Sequence, residues 1–118
     1  MKEFITFAKT FSMKASEQKV QTLIRDAISS IDQNAEIILF GSRARGDAGM
    51  DSDWDVLILV DQEKVSWNDE KIFRHKLYPI ELRIAQPISI FVYSKKEWYG
   101  RLSVTPLFES IQAEGVTL

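Results

Sequence analysis

From about Ser16 to Ile31 the apolar residues Val20, Leu23, Ile24, Ala27, Ile28 and Ile31 recur at steps of three and four. That spacing lines them on one stripe of a helix. Ser16, with Glu17 and Gln18 beside it, reads as the N-terminal cap region, and Asp32-Gln33-Asn34 ends the helix. Residues 1–12 show no clear period and read as an extension ahead of Met13, an alternative start. Glu36-Ile37-Ile38-Leu39-Phe40 is a short, nearly continuous apolar run, and predicts a strand buried on both faces. A polar connector, residues 41–52, carries three glycines and leads into a second strand over Asp53–Asp61. The start of that strand alternates acid and apolar residues; the rest is apolar.

Trp67, Ile72, Phe73, Leu77 and Tyr78 predict a helix over 66–78, which Pro79 kinks or ends before Ile80–Ile84. Ile88–Tyr93 is a third strand, Lys95–Tyr99 opens a short helix, and Thr105-Pro106 starts a last one that Gly115 closes. The order helix, strand, connector, strand, helix, strand, helix predicts an α+β (mixed α/β) domain, with a three-stranded core sheet packed against helices.

The 118 residues suit one domain, residues 1–118. With 45% hydrophobic and 27% charged residues the chain is too apolar to stay disordered. A net charge of −2 supplies no global basic field, so no duplex nucleic acid is expected and any phosphate recognition must be local. The lack of cysteine removes disulfides, thiolate metal sites and a cysteine nucleophile. A single histidine, His75, rules out a multi-histidine metal site, and its place in Arg74-His75-Lys76 reads as a solvated helix face. The longest unbroken apolar stretch, Val56–Val60, is far too short for a membrane span. Charge interrupts the first residues too early for a signal-peptide core, so the expected location is cytoplasmic.

One constellation carries chemistry: Gly41-Ser42, then ten residues, then Asp53-x-Asp55. Gly41 ends a buried strand without a side chain, so a ligand can approach the backbone closely. Ser42 offers a hydroxyl and an amide at the start of a turn, while Arg43 and Arg45 carry charge suited to phosphate oxygens. Arg45 has an equal alternative as a structural partner of Asp47 or another nearby acid. Asp53 and Asp55, two apart on a strand, point to one face and repel unless a cation or a proton sits between them. Mg²⁺, hard and commonly shared between carboxylates and substrate phosphates, is the natural cation. Trp54, between the acids, should point into the core. An EF-hand is excluded, because counting from Asp51 the sixth position is Val56 and the twelfth is Gln62. A P-loop is excluded as well, since no Gly-Lys-Ser/Thr follows.

Gly41-Ser42-Arg43-Ala44-Arg45-Gly46 followed by Asp53-Trp54-Asp55 resembles the signature of the DNA polymerase beta-type nucleotidyltransferase superfamily. The compact length, with Tyr93–Trp98 and Thr105-Pro106-Leu107, is similar to its minimal nucleotidyltransferase branch, small proteins often paired with a HEPN-domain toxin. The likeness spans roughly residues 14–118. It implies the nucleotidyltransferase fold, with Gly41 and Ser42 on the triphosphate and Asp53 and Asp55 as catalytic ligands of two Mg²⁺ ions. It further implies transfer of a nucleoside monophosphate, AMP from ATP, to a hydroxyl of a partner protein such as a HEPN toxin, an antitoxin role. The superfamily draws a third carboxylate from a later strand, where this chain has Ser89, a neutral and weak ligand. One Mg²⁺ site should therefore be weak, and Glu81, read on a helix, is a poor substitute. The rival reading is an inactive antitoxin or interaction module that binds its partner without turnover. Transfer to a small molecule such as an aminoglycoside calls for an additional domain. The sequence is compatible with an oligomer without requiring one.

Overall fold

The computed structural model describes the backbone of residues 2–118 and the side chains from Ser16 onward. Among the described residues the elements are α1 (Lys2–Ile31), β1 (Glu36–Phe40), α2 (Ser42–Arg45), β2 (Trp54–Val60), α3 (Trp67–Ile84), β3 (Ile88–Ser94), α4 (Lys95–Tyr99), α5 (Pro106–Glu114) and β4 (Val116–Thr117). A 3-10 turn, Arg101–Val104, links α4 to α5. The class is mixed α+β, as expected. Two expectations are corrected. The first helix runs from Lys2, so Ser16 lies inside it instead of capping it, and the sheet has four strands, not three.

The strands lie in the order β3-β2-β1-β4, with β2 parallel to β3 and the other pairs antiparallel. The long apolar run of β2 suits a central strand: six of its seven residues are buried, and Asp55 alone is half-buried. One face of the sheet packs against α1 and α3 through Ile37, Leu39, Trp54, Val56, Ile58, Ile88 and Ile90, with Ile24, Ile28, Phe73 and Leu77 opposite. The other face carries Phe40, Leu57 and Leu59 beneath Trp98 and Ile111.

Ser66 caps α3 reciprocally with Asp69, the Ser66 hydroxyl accepting from the Asp69 amide while the Asp69 carboxylate accepts from the Ser66 amide at 2.9 Å. Those bonds to Ser66 hold the Asp69 carboxyl below its usual range. Pro79 sits inside α3 without ending it. Pro79 and His75 are both exposed, so the carbonyl that loses its partner at Pro79 can turn to water. The added strand β4 escaped the sequence reading because two residues carry no period. It docks because Gly115 has no Cβ; one there would lie 2.7 Å from Ile38 Cγ2. Val116 then pairs with Leu39 and Thr117 with Ile38. No helix among the described residues is long and apolar enough to cross a membrane.

Candidate active site

The β1–β2 pairing is what closes the site. Phe40, the last residue of β1, is the register partner of Asp55, the second residue of β2. On the other side of β2, Ser89 of β3 is the register partner of Asp55. Side chains of paired residues point the same way, so Phe40, Asp55 and Ser89 form a row across three strands on the face opposite α1 and α3. Trp54, one residue earlier, faces the α1/α3 side and is 1% exposed. Asp53 precedes β2, is exposed, and lies close enough to act on Asp55 electrostatically.

The turn after β1 comes back onto this row. Gly41 adopts φ 73° and ψ −158°, a region essentially reserved for glycine. A Cβ built on Gly41 would land on Asp55 Oδ2, with Asp55 Cγ 3.3 Å away. Backbone and carboxylate thus meet with no side chain between them. From Ser42 the chain makes the four-residue turn of α2, whose first amides have no intrahelical acceptor. Gly46, at φ 84°, ends it.

The Asp55 carboxyl is raised above its ordinary 3.8, first by partial burial and then by the negative charge of Asp53; Arg45 opposes both. A carboxylate that is costly to ionise gains from a nearby cation. Among the described residues no group of three or more His, Cys, Asp or Glu side chains is placed to hold a metal by itself. A half-buried acid against the glycine turn, with a second, exposed acid two residues earlier, is instead a donor set that would suit a hard divalent ion filling its remaining positions with water and phosphate oxygens. Asp53 and Asp55 are the residues that would hold it.

The two arginines separate. Arg45 is exposed at the carboxylate side, pairing with Asp47 at 3.2 Å and Glu114 of α5 at 3.2 Å, and it is felt by Asp55. Arg43, expected to face phosphate together with Arg45, goes the other way. Its guanidinium lies 4.7 Å from the Trp54 ring centroid, with its side chain only 5% exposed. The reason is helical geometry: residues two apart on a helical turn project about 200° from one another, so Arg43 and Arg45 cannot both face the acids. The signal was present in the Arg-Ala-Arg spacing, once α2 is recognised as helical.

Glu81 spends its carboxylate on the Ile88 amide at 2.6 Å, from the α3 side of the sheet, across from Asp55. Gln86, which sequence reasoning did not single out, accepts from Trp54 Nε1 at 2.7 Å and donates to the Met50 carbonyl at 3.0 Å. A cleft of about 400 Å³ lined by Val20, Arg43, Met50, Trp54, Ile84 and Gln86 also lies on the α1/α3 side, away from the carboxylate pair. Exposed His75 stands on α3, which packs on that same side.

No curated protein matches the chain significantly. The family model described as a nucleotidyltransferase domain matches residues 22–111. That span takes in the last third of α1, all of β1 to α4 and most of α5, and so both halves of the constellation. Members of this family generally act on a nucleoside triphosphate with a divalent metal. Its fold, the approach of the Gly41 turn to Asp55 and the matched residues agree: the chain belongs to the nucleotidyltransferase domain family.

Proposed function

We propose that this chain binds ATP with Mg²⁺ at the Gly41-Ser42 turn and the Asp53-Asp55 pair, and transfers AMP to a hydroxyl of a partner protein, a HEPN-domain toxin in the first instance. The observation that carries the reading is the close approach of the Gly41 backbone to the Asp55 carboxylate, because it brings the start of the Ser42 turn beside the negative charge that would hold the metal. The Ser42 hydroxyl and the first amides of the turn, which have no acceptor within it, can donate to the triphosphate oxygens. Arg45, exposed at the same rim, adds positive charge there. When bound, Mg²⁺ supplies charge neutralisation at the phosphates and a template for in-line displacement. The acceptor oxygen bonds to the α-phosphorus, the bond to the pyrophosphate oxygen breaks, and pyrophosphate leaves. Ser89 cannot take the acceptor's proton at neutral pH, so that proton passes to solvent or to a group on the partner.

Incubation with ATP labelled in its α-phosphate and a HEPN-domain partner should label the partner with wild type and not with Asp53→Asn. Equal labelling by the two proteins overturns the catalytic reading. A second reading is favoured by one specific observation, the pairing of Ser89 with Asp55 in register. Under it the chain is an antitoxin that neutralises its partner by binding alone, and the complex forms without nucleotide and survives both Asp→Asn changes. Ser89→Asp bears on the same point. It adds a carboxylate beside Asp55 and should raise Mg²⁺ affinity in the presence of ATP by about 10-fold; unchanged affinity would place residue 89 outside the metal's reach.

A further inference from the structure

A guanidinium keeps its charge at any accessible pH, so burying one is costly unless acceptors surround it. Arg43 is buried, and what surrounds it is informative. Nη2 donates to the Ser52 carbonyl at 3.0 Å, with the Met50 carbonyl further off at 3.5 Å. Nη1 reaches Glu17 of α1 at 3.4 Å. The guanidinium lies over the Trp54 ring, and Nε is buried without a partner among the described residues. Gln86 adds a second tie to the same place, bridging Trp54 Nε1 and the Met50 carbonyl.

The covalent neighbours of these groups are the residues of the candidate site. Arg43 follows Ser42 directly. Ser52 directly precedes Asp53. Trp54 stands between Asp53 and Asp55. From beneath the sheet, one side chain therefore links the phosphate-facing turn to both sides of Asp53. On its C-terminal side Asp53 is anchored by Trp54, whose amide donates to the Pro87 carbonyl at 2.9 Å; on its N-terminal side lies a connector of exposed and half-buried residues, 46–52, which Arg43 ties down at Ser52.

We propose that Arg43, braced by Gln86, is a positioning residue that holds the Gly41-Ser42 turn and the Asp53-Asp55 pair in one geometry, so that nucleotide and divalent metal bind cooperatively. This inference rests on the nucleotide-binding reading above. Arginine is required because its planar fork can stack on Trp54 while donating to a carbonyl at its edge; a lysine ammonium is a point donor without that plane.

The test is calorimetric titration of the full chain with ATP, with and without Mg²⁺, for wild type, Arg43→Lys, Gln86→Leu and Asp53→Asn. Folding of each is checked by circular dichroism. The readout is the factor by which Mg²⁺ enhances ATP affinity, a coupling that mere loss of stability does not move. In Arg43→Lys this factor should fall by about 5-fold or more, while ATP affinity without Mg²⁺ is unchanged. If Arg43→Lys does not fold, Gln86→Leu is decisive: a reduced factor supports the proposal and a wild-type factor overturns it. A folded Arg43→Lys with the wild-type factor overturns it too, and does so alone if wild type binds MgATP and Asp53→Asn does not. Wild type without any MgATP binding overturns both this inference and the reading beneath it.

Discussion

If Asp55 ligates Mg²⁺ as proposed, Asp55→Asn should lose more than about 100-fold in Mg²⁺-dependent ATP affinity, since a direct ligand matters more than the outer-shell groups whose loss costs 10- to 100-fold. The same change should make the protein more heat-stable when neither ligand is present. Partial burial and Asp53 raise the Asp55 carboxyl above 3.8, so the folded state holds this proton more tightly than the unfolded chain does. Stability from this group is complete below about pH 3.8 and declines as the pH climbs through the raised folded value. At pH 7 the wild type therefore carries an unfavourable charge that asparagine removes. The group is partly solvated, which limits the gain, and a rise in Tm of about 2–4 °C is expected. Saturating MgATP should reverse the order, because ligand binding stabilises the folded wild type by about 2.7 kcal/mol at a hundred times Kd. Thermal melts of both proteins, with and without MgATP, check the two halves together. Equal midpoints in all four conditions would mean that Asp55 is neither strained nor a ligand.

Gly41→Ala should be strongly destabilising. Two costs add. The backbone at φ 73° and ψ −158° is one that L-residues avoid, worth on the order of 1–3 kcal/mol. The new methyl also meets the Asp55 carboxylate, which must then swing away from its place on β2. A total of about 2–5 kcal/mol, and a Tm lower by about 10 °C or more, is expected. The surviving folded fraction should also lose MgATP affinity, because the displaced carboxylate is the one that faces the turn. Placing Gly41→Ala in an Asp55→Ala background separates the terms. There the methyl has room, and only the backbone cost persists, so the second substitution should be milder than in wild type by more than about 0.5 kcal/mol. Additive effects would show that the close approach of Gly41 to Asp55 does not matter to stability.

Much of the architecture could be read along the chain because it is local. The stripe from Val20 to Ile28, buried at Ile24 and Ile28 and followed by the exposed Ile31, the five-residue run of β1 and the unbroken apolar stretch of β2 each state their period directly. So do Thr105 and Pro106, which start α5 at the expected place, the Thr105 hydroxyl accepting from the Phe108 amide. The side to which Trp54 turns follows from simple alternation between two acids. Arg43 shows where local reading stops. Its type and its neighbours suggested a phosphate ligand, yet a single helical turn between β1 and the connector rotates it under Trp54, where an aromatic face and the Ser52 carbonyl receive it.

What the amino-acid order settled without help was the class of fold, the buried strands and the presence of paired acids ten residues beyond a glycine-serine turn, since these depend on spacing within a few residues. Tertiary structure decided the rest. Antiparallel register sets Asp55 against Phe40 and beneath the Gly41 backbone, parallel register sets Ser89 beside it, and a two-residue strand is recruited only because Gly115 lets it close on β1. Each of these is a meeting of segments far apart in the chain. Pairing partners across a sheet are selected by the packing of the whole domain, and no local period records them.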